Sequence, residues 1–217
     1  MARLLLIRHG QASFGADDYD ALSEIGHEQA RTLGRSFAER GIRPALIVRG
    51  DMRRHDETAA GIVEGLKEPV GTVVDAGWNE FDFQHVVAVH QPDFGTARTA
   101  TTPRAFQEIF EAATARWFSG EHDAEYAESF TTFRERVTAA LDRLDTGQDI
   151  AVVSSGGPIA MAASLLTTGS AAAWAALNRV SVNTGVTKVI AGSRGLSLST
   201  FNEHTHVEAD RRLLTYR

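Results

Sequence analysis

A histidine and an arginine follow directly after the first apolar run of the 217-residue chain. Leu4–Ile7 form that run, and Arg8, His9 and Gly10 come after it. A histidine at this point can act as a nucleophile or general base, and the adjacent arginine can hold an anion through two N–H groups. A glycine in the same turn lets backbone N–H groups approach the anion closely. The triplet therefore predicts an anion site with a nucleophile or general base, and the alternative is a surface Arg-His pair that follows a strand.

A second group of basic residues follows the next apolar run, Leu46–Val48. Residues 49–55 read RGDMRRH and precede a predicted helix over Glu57–Leu66. Cations at the start of a helix oppose its dipole, so these arginines are unexpected in a simple solvated helix end. An anion bound by Arg54 would remove the conflict. We therefore expect Arg54 to belong to the same anion site.

Two further turns carry candidate groups. Glu80 stands next to the aromatic Phe81, after a predicted strand over Val70–Val74. Apolar surroundings raise the pKa of a carboxyl group, which would suit Glu80 to general acid catalysis. The run Ser-Ser-Gly-Gly-Pro at residues 154–158 opens a predicted helix, whose N–H groups and dipole can receive an anion.

The elements around these turns must bring them together. Short apolar runs alternate with helical patterns, including those at residues 23–40 and 130–144, and this alternation predicts a three-layer αβα sandwich with a mostly parallel central sheet. Ligands of such sheets bind beyond the carboxyl ends of the strands. Residues 186–190 and 196–201 predict a closing hairpin.

The whole chain, residues 1–217, is predicted to form a single domain. Within it, residues 81–128 interrupt the alternation and contain one amphipathic helix, at 103–118. We therefore expect residues 81–128 to form a helical insertion, or lid, over the active-site end of the sheet.

Composition and charge restrict the class of protein. The net charge of −6 argues against a broad surface for nucleic acid or anionic lipid. The chain has no cysteine, which excludes a disulfide framework and fits a reducing compartment. The uncharged stretch from 150 to 178 is interrupted by glycine turns, so it predicts a buried strand and two helices instead of a membrane span. We expect a cytoplasmic protein.

The motifs taken together resemble the histidine phosphatase superfamily, also called phosphoglycerate mutase-like. In chain order they are residues 6–11 (LIRHGQ), residues 22–30 (LSEIGHEQA), Arg54 followed by Thr58 and Ala59, Glu80, and residues 153–157 (VSSGG). The resemblance spans nearly the whole chain, and its motifs fall at the predicted strand ends.

The resemblance implies a role for each matched residue. His9 would be phosphorylated, because a neutral imidazole can attack phosphorus in line, and fixed guanidinium groups would stabilise the charge on the transferred group. The implied catalytic residues are His9, Glu80 as proton donor and Arg8; the implied phosphate-binding residues are Arg8, Arg54, Ser155 and Gly156; and Gln11, Ser13 and His206 are assigned to the rim. No metal or cofactor is implied, and the expected partner is a small phosphate ester, with a homodimer as an open option.

The sequence departs from the family pattern at three positions. Ser155 stands where the family places a second phosphate-binding histidine, Gly15 where it places an asparagine, and Gly50 where it places a serine. Losing one preorganised donor to a developing anion costs about 10²–10³ in rate. Ser155 keeps one O–H donor, and His204 or His206 would have to restore the missing charge.

Three functions follow from this pattern. The leading hypothesis is a phosphomonoesterase that works through a phosphohistidine at His9. A phosphoglycerate mutase ranks second, because the stretch between residues 10 and 22 is short. A phosphate-binding pseudoenzyme is the third, motivated by Ser155, Gly15 and Gly50. Substitution Ser155→His is expected to raise the rate, unless the pocket has rearranged around the serine, in which case the imidazole would clash.

Overall fold

The computed structural model describes residues 2–13, 20–92, 103–144 and 147–216, and six strands and eight α-helices lie within them. The strands are β1 Ala2–Arg8, β2 Leu46–Arg49, β3 Gly71–Val74, β4 Ile150–Ser154, β5 Val186–Gly192 and β6 Gly195–Glu203. The helices are α1 Glu24–Glu39, α2 Arg53–Leu66, α3 Phe83–His90, α4 Pro103–Ser119, α5 Phe130–Asp142, α6 Gly156–Thr168, α7 Trp174–Arg179 and α8 Thr205–Glu208.

The strands form one sheet in the order β3-β2-β4-β1-β5-β6. The first four strands along the chain run parallel, whereas β5 and β6 form an antiparallel hairpin on β1. Their register pairs Arg8 with Ser154, and Arg49 with both Val153 and Val74. The carboxyl ends of all four parallel strands therefore meet at one edge of the sheet. The predicted α/β fold, the mostly parallel sheet and the closing hairpin are confirmed.

Helices cover both faces of the sheet. Strand β1 is buried throughout its apolar run, with no exposed surface on any residue of Leu4–Ile7. Leu5 and Ile7 face α1 and α2 in a common core, and the intervening Leu4 and Leu6 face the opposite side because strand side chains alternate. Helix α6, which contacts β1, is buried from residue 156 to 164. This is the predicted three-layer arrangement.

Helices α1 and α2 approach each other closely at two glycines, Gly34 and Gly65. A Cβ atom on Gly34 would lie 2.2 Å from the Ile62 carbonyl oxygen, and one on Gly65 would lie 2.2 Å from that of Arg31. Real Cβ contacts are never so short, so only glycine permits this approach at either position. The contact fixes α2, and with it the residues at its N-terminus, against α1.

The chain divides into two compact units, Met1–Glu80 with Val137–Arg217, and Phe81–Arg136. The second unit contains α3 and α4 and is built on aromatic contacts, in which the Phe81 and Trp117 ring centroids lie 4.6 Å apart. Helix α3 was not predicted from the sequence. The unit also extends to residue 136, beyond the predicted boundary at 128. The single-domain organisation and the lid role of residues 81–128 stay predictions.

Most element boundaries lie within two residues of those expected, and the largest difference is at α2. Helix α2 begins at Arg53, one turn before the predicted start at Glu57. Strand β3 begins at Gly71 and is the exposed edge of the sheet, with Val74 51% exposed. The stretch from 150 to 178 forms β4, α6 and α7, as predicted. None of the helices within the described ranges is long and apolar enough to cross a membrane.

Candidate active site

His9 lies at the end of β1 and is almost completely buried. Its backbone N–H donates to the Ser154 carbonyl oxygen at 2.8 Å, which ties the ends of β1 and β4 together. Its Nδ1 lies 2.6 Å from the Gly10 carbonyl oxygen. A carbonyl oxygen only accepts hydrogen bonds, so Nδ1 must carry the proton in this contact. In neutral His9 the lone pair is therefore on Nε2.

The surroundings of His9 keep its imidazole neutral. Burial lowers the pKa of His9 well below its usual value, and the positive charges of Arg54 and Arg8 lower it further. Because the unperturbed value is about 6.5, His9 is unprotonated at neutral pH. A neutral imidazole between two guanidinium groups is available for attack on an electrophile that an anionic group carries into the site.

Arg8, the last residue of β1, lies beside the turn that opens α6. Its Nη1 donates to the carbonyl oxygens of Ser181 and, at 2.7 Å, Tyr216. A Cβ atom built on Gly156 would be 3.7 Å from Arg8 Nε. The structure therefore brings Arg8 and Gly156 together, as the sequence predicted.

Arg54 lies in the first turn of α2 and its side chain is 8% exposed. Its Nη1 donates to Asp20 Oδ1 at 2.5 Å, and Asp20 Oδ2 accepts the backbone N–H of Arg53 at 2.7 Å. Asp20 therefore places negative charge at the start of α2, where the sequence predicted an anion. Arg54 Nε is buried and has no hydrogen-bond partner among the described residues. A buried guanidinium N–H without a partner is costly, and an oxyanion at this point would satisfy it.

Glu80 reaches the site through a short 3₁₀ turn at residues 76–78 that follows β3. Trp78 in that turn has no exposed surface, and its carbonyl oxygen accepts a hydrogen bond from Ser154 Oγ at 2.6 Å. Two residues later, Glu80 Oε2 accepts the backbone N–H of Gly157 at 3.1 Å. The carboxylate thus occupies the anion-binding end of α6.

Ser155 is the N-cap residue of α6, but its side chain does not cap the helix. Instead its Oγ lies 2.8 Å from Nε2 of His55, a residue of α2 that is also fully buried. The rings of His55 and His9 have centroids 5.8 Å apart. Burial lowers the pKa of His55 well below its usual value, and Arg54 and Arg49 act in the same direction. The site therefore contains a second neutral imidazole.

All of these residues fall within the part of the chain that one protein-family model matches. A family model described as the histidine phosphatase superfamily (branch 1) matches residues 4–204. The chain belongs to the histidine phosphatase superfamily.

Relatives of this superfamily member include mutases and phosphatases. It is similar to a 2,3-bisphosphoglycerate-dependent phosphoglycerate mutase of a Chelativorans species, with 32% identity over 97 residues, 42% of this chain and 47% of that protein. The chain thus spans about half the length of that curated relative. The structure of a phosphoglycerate mutase from Bacillus anthracis superposes with a TM-score of 0.66 at 20% identity and 95% coverage of both chains. A mycobacterial glucosyl-3-phosphoglycerate phosphatase gives 0.64 at 22% identity, with 94% of this chain and 100% of that chain covered. These two structures show that the fold is phosphoglycerate mutase-like.

The predicted rim residues of this superfamily member hold the loops around His9. The backbone N–H of Gln11 donates to the side chain of Gln29 at 2.8 Å, and the Gln11 side-chain oxygen accepts from Ser23 at 2.9 Å. The Ser13 N–H donates to the Ala21 carbonyl oxygen at 2.8 Å. These contacts anchor the turn after β1 on the start of α1. Gly15, one of the three departures from the pattern, lies outside the described residues.

His206 contacts the back of the turn that carries His9. Its Nε2 lies 3.0 Å from Thr184 Oγ1, and the Thr184 backbone N–H donates to the carbonyl oxygens of Arg8 at 3.1 Å and His9 at 3.3 Å. The side chain that meets Ser155 is thus His55 and not His206. The role of His206 at the rim stays a prediction.

Sequence reasoning missed two side chains in this histidine phosphatase superfamily site. Asp20 is separated by 34 residues from Arg54, and no local pattern links them. His55 was part of the basic run at 49–55, but the sequence does not tell which way it points. The described ranges also contain no group of three or more His, Cys, Asp or Glu side chains arranged to hold a metal ion.

Acid should destabilise the fold through its buried histidines. Burial lowers the pKa of His206 to about 4, and the pKa values of His9 and His55 are lowered as well. Below about pH 6.5 the unfolded chain binds protons that the folded protein excludes, so the free energy of unfolding falls as the pH is lowered. We expect a lower melting temperature at pH 5 than at pH 7. Substitution His206→Gln, which can keep the bond to Thr184 but cannot titrate, should reduce that difference; an unchanged difference would contradict the prediction for His206.

Proposed function

We propose that this protein is a metal-independent phosphomonoesterase that forms a phosphohistidine at His9. The observation that carries the proposal is the neutral His9 near the buried guanidinium of Arg54. Because Nδ1 of His9 contacts the Gly10 carbonyl oxygen, the lone pair is on Nε2. Phosphoryl transfer needs little from a protein beyond an aligned nucleophile and fixed positive charge around the transferred group. The buried cluster of His9 and Arg54 at the carboxyl ends of the strands supports this proposal.

The phosphate site in this proposal uses three sources of positive charge. Arg54 offers its guanidinium, with the Nε–H that has no partner among the described residues. Arg8 lies beside Gly156 at the opening of α6. The N-terminus of α6, where the Gly157 N–H is already bonded to Glu80, adds the positive end of the helix dipole. Donors held in place before the reaction stabilise the charge of the transition state without reorganisation.

The proposed reaction has two steps, in which His9 first takes up the phosphoryl group and water then hydrolyses the phosphohistidine. In the first step, Nε2 of His9 attacks phosphorus and the bond to the leaving oxygen breaks, while Glu80, which enters this step protonated, gives its proton to that oxygen and becomes a carboxylate. Water then attacks the phosphohistidine, with the Glu80 carboxylate as the base, and inorganic phosphate leaves as His9 regains its lone pair. The Gly157 N–H, in the same turn as Ser155 and Gly156, stabilises the ionised form of Glu80, which is the form that acts as the base in the second step.

The direct test is incubation with 4-nitrophenyl phosphate. We expect release of 4-nitrophenol and, after acid-free denaturation of the protein during turnover, acid-labile phosphate bound to His9. Turnover should be unaffected by chelators, because the proposed chemistry uses no metal. Absence of both turnover and bound phosphate would leave the site as a phosphate-binding one and overturn the proposal.

Glu80→Gln should affect substrates according to their leaving group. An alkoxide must be protonated as it leaves, whereas 4-nitrophenolate needs little help. General acid catalysis contributes about 10²–10⁴ in rate, so we expect a loss in that range for glycerol 2-phosphate and a loss below about tenfold for 4-nitrophenyl phosphate. The measurement is kcat/KM for both substrates with wild type and variant, because kcat/KM covers the steps up to the phosphohistidine and leaves out its hydrolysis, in which Glu80 is the base. Equal losses on both substrates would remove Glu80 as the acid.

A further inference from the structure

Two departures from the family pattern, Gly50 and Ser155, meet at one residue that the pattern does not include. His55 lies between them: its Nε2 is 2.8 Å from Ser155 Oγ, and a Cβ atom on Gly50 would be 2.2 Å from its Nδ1. A serine at position 50 would therefore collide with the His55 ring. The imidazole absent at position 155 has a counterpart that enters the same region from α2.

The hydrogen-bonding state of His55 follows from its surroundings. Its Nδ1 is buried and has no hydrogen-bond partner among the described residues, whereas its Nε2 contacts Ser155 Oγ. A buried N–H without an acceptor costs more than a buried lone pair without a donor. The favoured neutral form therefore carries its proton on Nε2 and donates it to Ser155. The Ser155 hydroxyl is then left with its own O–H to donate elsewhere.

We propose that Ser155 and His55 act as a pair that replaces the second phosphate-binding histidine of the family pattern. In this pair, Ser155 donates its O–H to a phosphoryl oxygen. His55 is a positioning residue: its Nε2–H donates to the Ser155 oxygen, which leaves the hydroxyl hydrogen directed at the phosphoryl group. The inference rests on the proposed function, because the transferred phosphoryl group is the acceptor. Linked hydrogen bonds of this kind also polarise one another, which strengthens the terminal donor.

The pair explains why Gly50 accompanies Ser155 in this chain. Position 50 also faces Asn79, whose Oδ1 would lie 2.6 Å from a Cβ atom there. The His55 ring therefore fills the space that a side chain at position 50 would need. An imidazole at position 155 would likewise enter the space beside His55 Nε2. The structure thus favours the second of the two outcomes considered for Ser155→His, a clash.

A mutant cycle tests the pair. We expect His55→Ala and Ser155→Ala each to lower kcat for 4-nitrophenyl phosphate by about 10²-fold, and the double variant to be no slower than the slower single. His55→Gln places an amide N–H near the position of Nε2 and should recover at least half of the loss on a logarithmic scale. Losses that multiply in the double variant, or wild-type kcat in His55→Ala, would overturn the proposal.

A second arm moves the imidazole back to the family position. Ser155→His alone should lower both kcat and the melting temperature, because His55 occupies the space. In the His55→Ala background the same change should raise kcat at least about tenfold above His55→Ala alone, since the cavity then accepts the ring. A double variant His55→Ala/Ser155→His with a lower kcat than His55→Ala would count against the pair. Circular dichroism would show that each variant is folded.

Two further measurements separate this inference from the proposed function. If wild type shows neither turnover nor bound phosphate, the proposed function fails, and the same variants are titrated with orthovanadate. Non-additive losses of vanadate affinity in His55→Ala and Ser155→Ala would still support the pair as an anion site, whereas additive losses would end it. In a vanadate complex, Ser155 Oγ should lie about 2.5–3.0 Å from a vanadate oxygen. A longer separation would show that Ser155 is not the donor.

Discussion

His9→Ala should abolish turnover of 4-nitrophenyl phosphate and remove all acid-labile phosphate from the protein. Losing the nucleophile of a covalent mechanism typically costs more than about 10⁴-fold in rate. His55 does not take over the role, because its Nε2 is engaged with Ser155 and its ring has no exposed surface. The measurement combines kcat with the amount of phosphate recovered on the denatured protein.

His122→Ala is the matched control for this substitution. His122 is 40% exposed and pairs with Glu125, and it makes none of the contacts described for the site, so its substitution removes an imidazole from the surface. Its kcat should stay within about twofold of wild type, as expected for surface substitutions away from special features. Turnover at the wild-type level in His9→Ala would show that the reaction does not pass through His9.

Arg54→Ala should lower kcat/KM by at least about 10²–10³-fold, the usual cost of one preorganised donor to a developing anion. The variant loses a buried guanidinium, and with it the positive charge that contacts the Asp20 carboxylate. Negative charge that is no longer neutralised repels a phosphate dianion, which adds to the loss. Arg54→Lys keeps the charge but not the planar fork, so its rate should fall between those of wild type and Arg54→Ala.

Arg53→Ala provides a control one residue away in the same turn of α2. The Arg53 side chain is 56% exposed and pairs with Glu57, and its backbone N–H bond to Asp20 survives the substitution. Turnover should therefore stay within about twofold of wild type. If Arg53→Ala and Arg54→Ala lose the same activity, the effect belongs to the net charge of the region and not to a phosphate clamp.

Much of the fold was predictable because its signals are local. Four consecutive apolar residues predicted the buried strand β1, and alternating polar and apolar residues predicted the β5–β6 hairpin. Motif order also located the turns that carry His9, Arg54, Glu80 and Ser155, because parallel strands place their carboxyl ends at one edge. The sequence pattern alone thus defined the sheet and most of the helices.

The features that were missed depend on contacts between distant parts of the chain. Helix α2 starts a turn early because Asp20, far away in sequence, accepts the N–H of Arg53 and neutralises Arg54. No residue near Met52 provides that cap, and the Met52 side chain itself makes no capping bond. The inward direction of His55 likewise depends on how α2 packs on α1, which glycine contacts decide.

The contact between Asp20 and Arg54 means that an anion bound by Arg54 shares the guanidinium with a carboxylate, and that it competes with Asp20 for the N–H that the carboxylate already uses. A singly charged competitor such as chloride exchanges one negative charge for another and gains little, whereas a doubly charged anion gains from the difference. We therefore expect the internal carboxylate to favour a dianion over a monovalent ion at this guanidinium. In the proposed reaction, the Asp20 carboxylate would also compete with the inorganic phosphate product for Arg54, which would favour product release.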